Sequence, residues 1–158
     1  MKPVPWNTIF RGKIILLCHS LSAVDRLTPE NRSQLMSRIR SENTQPELIV
    51  RRLLWRMGYR YRTHPKDLPC KPDIVFRGRR QVVFVHGCFW HRHQGCERTA
   101  IPKTKESYWL PKFDRTVQRD KDCENRLREI GWSVLVVWEC ETKNLALLES
   151  KLRDFMSL

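Results

Sequence analysis

The feature that most constrains this chain is a short segment, Cys88-x4-His93-x2-Cys96, that follows closely on a β-branched run, Gln81 to Val85. Thiolate and imidazole are the donors that zinc prefers, and a closed structural site takes four of them. The segment supplies three, so the fourth must come from elsewhere. Cys140 is the best candidate, because it follows a second apolar run, Ser133 to Trp138, and the ends of two neighbouring strands can lie side by side. Cys123 is a weaker choice, since it sits on a helical stretch near its apolar stripe and reads as core packing. Cys70 and Cys18 have no ligand-type neighbours. The competing reading makes the cysteines small buried hydrophobes and the histidines surface residues; the ligand spacing favours zinc.

The elements around this loop follow from periodicity. Thr28-Pro29-Glu30-Asn31 pairs an N-cap residue with proline at the first helical position, and predicts a helix to about Ile39. Thr44-Gln45-Pro46-Glu47 restarts a helix by the same device, with Leu48, Val50, Leu53, Leu54 and Met57 on its buried face and Gly58 at its end. The period then falls from near 3.6 to near 2. Tyr59 and Tyr61 suggest a short strand, Asp73 to Phe76 a second, Arg77 to Arg80 a turn, and Gln81 to Val85 a central strand. Residues 86 to 104 read as a metal-supported loop. A long helix is expected from about Asp114 to Ile130, then the strand Ser133 to Trp138 and a last helix from Leu145 to Phe155. This order predicts an α/β domain, a central mixed sheet flanked by helices, over residues 24–158. Residues 1–23 show no sustained period and read as a poorly ordered extension.

The chain has 158 residues, enough for one core and too few for two ordinary domains. Its 30 Lys and Arg against 17 Asp and Glu give a net charge of +13, a field that draws polyanions, and nucleic acid before other partners. The apolar run Ile14 to Cys18 is too short to span a bilayer, so no membrane association is expected. The six cysteines are read as reduced, some of them on metal, in a cytoplasmic, nucleoid-associated protein.

His86 and His91 flank the ligand loop at a strand's end, and imidazole can activate water near neutral pH. Phosphodiester hydrolysis also needs a cation held by carboxylate, and Asp73, opening an apolar strand behind Pro72, is the best one. Asp120 falls within the apolar stripe marked by Phe113, Val117, Leu127 and Ile130, and needs a partner there: a histidine, or a basic neighbour if it lies at the margin. Glu47 is accounted for by the helix dipole alone. Phe89-Trp90 could stack on bases or pack beneath the loop; Trp109 and Met36 read as core.

The strings Lys71-Pro72-Asp73, Val83-Phe84-Val85-His86-Gly87-Cys88-Phe89-Trp90-His91-Arg92-His93, Cys96 and Val136-Val137-Trp138-Glu139-Cys140 closely resemble the very-short-patch repair (Vsr) endonucleases. Arg32-Ser33-x-x-Met36-Ser37-x-Ile39-Arg40, Tyr108-Trp109 and Arg119-Asp120 match in order and approximate spacing, so the resemblance covers about residues 25–155. It implies a restriction-endonuclease-like fold related to the PD-(D/E)xK nucleases. The implied reaction is a magnesium-dependent nick 5′ of the thymine in a T·G mismatch left by deamination of 5-methylcytosine. A restriction-type or structure-specific nuclease of the same fold is the alternative, and a non-catalytic zinc-dependent DNA-binding module a more distant one. By resemblance, Asp73 is the magnesium carboxylate and the Val85 carbonyl its second protein ligand. His91 is the water-activating histidine, assisted by Asp120; His86 and Glu47 are further active-site residues. Cys88, His93, Cys96 and Cys140 match the zinc ligands. Phe89, Trp90 and Trp109 match aromatics that wedge into the base stack, and Met36 a wedge from the opposite groove. Double-stranded DNA, the mismatch-repair protein MutL and a downstream repair polymerase are the implied partners of a monomeric enzyme. One departure from the wider fold class is visible: where such nucleases carry Glu-x-Lys on the second strand, this chain reads Phe84-Val85-His86.

Overall fold

A computed structural model describes residues 42–101 and 106–158. The predicted helix from Thr28 to Ile39, Met36 upon it, and the extension 1–23 lie outside the described residues. Helix α1 spans Gln45–Arg56, with Pro46 in its first turn and Glu47 beside it. Gly58 ends it at φ 91°, a left-handed turn that lets the Tyr59 N–H return to the Leu54 carbonyl at 3.0 Å. Strand β1 is only Arg62–Thr63; β2 spans Ile74–Phe76, β3 Gln81–His86 and β4 Ser133–Trp138. Helix α2, Glu106–Glu129, joins β3 to β4, and α3, Leu145–Met156, follows β4.

The four strands form one mixed sheet in the order β1-β2-β3-β4, with the first two pairings antiparallel and β3·β4 parallel. Alternation along β3 sorts the layers. Val83 joins Ile74, Phe76 and Val137 against Val50, Leu53 and Leu54 of α1 and Leu148, Leu152, Phe155 and Met156 of α3. Val82 and Phe84 point the other way, where Val75 and Leu127 of α2 complete a smaller core. The sheet is therefore covered on both faces, which is why β3 reads as a continuous apolar run with no polar face.

Four expectations need correction. The tyrosines do not make the first strand: Tyr59 and Tyr61 pack edge-on against Phe76, and pairing starts only at Arg62. Helix α2 is already present at Glu106, about two turns before the expected start, and runs through Pro111. A proline there removes one N–H but sits early in the helix. Packing of Trp109 and Phe113 against Phe89, with centroids 5.8 and 5.1 Å away, holds the turns on either side of it. Ile130 does not continue the stripe of α2; it is 49% exposed, just beyond the helix. Finally, Cys70 and Cys123 are joined in a disulfide rather than reduced. The loop ahead of β2 runs beside α2, a closeness across 53 positions that no local pattern reveals.

Candidate active site and metal centre

The C-terminal end of β3 is where the chemistry gathers. Parallel register pairs His86 with Trp138, and two residues beyond each stand Cys88 and Cys140. The two turns that follow bring their sulfurs together: the Cys140 N–H donates to Cys88 Sγ at 3.4 Å. His93 Nδ1 lies 3.3 Å from Cys140 Sγ and 3.7 Å from Cys88 Sγ, and its ring stacks on Trp138 at 4.2 Å. With Cys96, the donor atoms of all four residues lie within 4.8 Å of one another. Three sulfurs and one imidazole in that volume are a donor set for a soft or borderline cation. Burial pushes the Cys88 thiol up to about 12, a cost that a cation binding the thiolate would remove.

A second cluster forms on the α2 face of the same strand. His86 is buried and stacks on His91 at 3.9 Å between centroids, their planes 10° apart. His91 Nδ1 stands 2.5 Å from Asp120 Oδ2, and the Arg119 guanidinium reaches the other carboxylate oxygen at 3.4 Å. So Asp120 has both partners that its position demanded, the histidine and the basic neighbour. Burial pushes the Asp120 carboxyl up, but the His91 hydrogen bond and charge outweigh that and hold it below its ordinary value. His86 is lowered too, but by burial rather than against it. Burial, and then the nearby His91 charge, lower it to about 3, which keeps it neutral at physiological pH.

The third cluster lies by α1. The β2 ladder ends at Ile74, and the Asp73 carboxylate takes over by accepting the Val85 N–H at 2.7 Å. Burial raises Asp73 to about 6; the Val85 hydrogen bond opposes this, and the Glu47 charge adds to it. Glu47 is only 2% exposed, so the helix dipole does not account for it fully. Its Oε1 lies 3.3 Å from Arg51 Nη1 and 3.4 Å from His64 Nε2. His64 is the residue that sequence reading missed: its Nε2 also lies 3.6 Å from Asp73 Oδ1. No periodic element carries it. The one trace in the sequence is a lone histidine in the proline-broken stretch before Pro72-Asp73.

The aromatics divide. Phe89 and Trp90 are half-buried, while Trp109 is 7% exposed and packs with Phe89, Trp90 and Phe113 at 5.8–5.9 Å between ring centroids. Lys112 Nζ lies 4.9 Å over the Trp90 ring. Tyr108 at the edge of this cluster is 57% exposed. An exposed row on α2, Arg115, Arg119 and Arg126, lines a shallow depression on that helix together with Gln118, Asp122 and Cys123.

Comparison with known proteins settles the family. The family model for the DNA mismatch endonuclease Vsr matches residues 24–98. The type II nicking enzyme V.XorIIP of Xanthomonas oryzae pv. oryzae is 52% identical over 84% of this chain and 96% of its own. The chain belongs to the Vsr family of endonucleases. A second relative, the type II nicking enzyme V.NmeAIP of Neisseria meningitidis, is 44% identical over 81% of this chain and 91% of its own. The DNA mismatch endonuclease Vsr of Escherichia coli K12 is 41% identical over 69% of each chain. This Vsr-family chain is therefore a DNA endonuclease, a hydrolase of phosphodiester bonds, and its mixed α/β sheet carries a Cys/His cluster able to hold a metal. No described helix is long and apolar enough to cross a membrane.

Proposed function

We propose that this Vsr-family enzyme nicks duplex DNA 5′ of the thymine in a T·G mismatch left by deamination of 5-methylcytosine. The observation that carries the reading is the convergence, at one strand end, of a carboxylate pair and a His–Asp pair. One can hold a cation and the other can take a proton from water. The sheet and its helical layers fit a restriction-endonuclease-like fold, with the chemistry where open sheets hold theirs, at the C-terminal end of a central strand.

Asp73 and the Val85 carbonyl would hold a magnesium ion, with Glu47 beside them. Among the described residues the one guanidinium at these two carboxylates is that of Arg51, on Glu47, while Asp73 has only the His64 imidazole beside it, so the site is suited to added positive charge. When bound, the ion supplies charge stabilisation to the phosphate and a more acidic water. The chain's own residues do the rest. Asp120 accepts the His91 Nδ1–H, which leaves Nε2 as the acceptor for the proton of the attacking water and stabilises the imidazolium that results. His86, neutral and stacked, is a platform that fixes the His91 ring.

Cys88, His93, Cys96 and Cys140 would hold a structural zinc, which fixes the loop carrying His91, Phe89 and Trp90. These aromatics, with Trp109, are the wedge into the base stack. Trp109 reaches bases only if the cluster opens, and Met36 is proposed as the opposite wedge on resemblance alone. The enzyme acts as a cytoplasmic, nucleoid-associated monomer, with MutL and a repair polymerase following the nick.

The test is a duplex with one T·G mismatch beside its matched counterpart, incubated with magnesium. Nicking of the mismatched strand alone is expected. Equal cutting of both duplexes would favour the restriction-type alternative.

A further inference from the structure

His64 stands outside every role given so far, yet its environment is the most specific of any unassigned side chain. It occupies a left-handed backbone conformation, φ 46°, just before Pro65, in the coil between β1 and β2. Its Nε2 atom is buried and makes no hydrogen bond. That atom faces Glu47 Oε1 at 3.4 Å and Asp73 Oδ1 at 3.6 Å, while Arg51 Nη1 approaches the same Glu47 oxygen at 3.3 Å. A buried imidazole nitrogen with two carboxylate oxygens about it and a hydrogen bond to neither lacks its partner.

The spacing says what the partner is. Two ligand atoms, each about 2.1 Å from one cation, stand roughly 3.0 Å apart at an octahedral angle and roughly 3.4 Å apart at a tetrahedral one. The observed 3.4 and 3.6 Å are close to that range, and the Glu47, His64 and Asp73 ligand atoms all fall within 4.8 Å of one another. Magnesium prefers oxygen and water, whereas one imidazole among carboxylates suits manganese and its first-row neighbours.

We infer that His64 is the imidazole ligand of the catalytic cation site, with Glu47 and Asp73, and that it tilts this site from magnesium towards manganese. The assignment rests on the nuclease reading of Asp73 but goes beyond it: an imidazole joins the oxygen ligands of the site, and its metal preference is a property of one side chain.

Manganese and magnesium binding to the full chain are measured by titration calorimetry, and nitrogen coupling to bound manganese by pulsed electron paramagnetic resonance. The wild type is expected to bind manganese more tightly than magnesium and to show imidazole nitrogen coupling. His64→Gln should lose that coupling and weaken manganese binding by roughly tenfold or more, the scale on which residues around a metal count. Its magnesium binding should change far less, and its melting temperature serves as the folding control. Absence of nitrogen coupling in the wild type overturns the assignment without recourse to any variant. So does coupling that persists in His64→Gln. Asp73→Asn separates the two levels: if it retains both cation binding and nicking, the reading of Asp73 itself fails. If Asp73→Asn loses both while His64→Gln matches the wild type, only the role of His64 is overturned.

Discussion

At the scale of single residues, His91 and Asp120 form the pair whose removal should be most informative. His91→Ala is expected to lower the single-turnover nicking rate by about 10²- to 10⁴-fold, the usual contribution of a positioned acid–base group, with DNA binding nearly unchanged. A parallel loss of binding would make His91 a structural residue. The pair also carries a pH signature. The folded Asp120 carboxyl lies below its ordinary value, so its stabilising contribution is present above the unfolded pKa near 3.8 and fades as pH falls through the folded one. Melting of wild type and Asp120→Asn should therefore differ at neutral pH and converge in acid; a gap that stays constant to about pH 2 would contradict this. What the sequence disclosed here was uneven. An acid inside an apolar stripe called for a partner, and a histidine beside a ligand loop offered one. His64 gave no such warning, because it lies in coil and meets Glu47 and Asp73 only when α1 and β2 pack together.

Among the elements, the strand ends were the most legible part. Two apolar runs followed by Cys88 and Cys140 implied neighbouring strands, and their parallel register places both thiols beyond one end. The helix start and the first strand were less legible: Pro111 masked the first turns of α2, and the Tyr59–Tyr61 alternation reflects packing on Phe76 rather than pairing. The disulfide was not legible at all. It ties Cys70, just before Asp73, to Cys123, one turn after Asp120 on α2, and so braces the loop and the helix that carry these two carboxylates. Closing a loop of 53 positions should stabilise the fold by something on the order of 4 kcal/mol in the chain-entropy account. Reducing agent should lower the melting temperature of the wild type and leave Cys70→Ser unmoved; identical melting of all these samples would refute the bond. Removal of Cys96 should act through folding, with metal content and melting temperature falling together, because binding of a structural zinc is itself folding energy. Elemental analysis that finds no zinc in folded protein would exclude that centre.

On the scale of the whole molecule, the proposed function assigns three roles that are usually spread apart to one short loop between β3 and α2. Cys88, His93 and Cys96 would fix it through a bound metal, Phe89 and Trp90 lie between them in the chain, and His91 faces Asp120 from within the same loop. A net charge of +13 draws duplex DNA to the protein, an attraction that weakens as salt rises. In the proposed mechanism the loop links sensing to cutting, since an aromatic displaced by a base pair would move the histidine next to it in the chain. The most direct test of that account is a comparison of T·G and matched duplexes, with magnesium, in the wild type and in Trp90→Ala. The wild type should nick only the mismatched strand, and Trp90→Ala should lose most of that discrimination. Discrimination left intact without Trp90, or a wild type that cuts both duplexes alike, would contradict it.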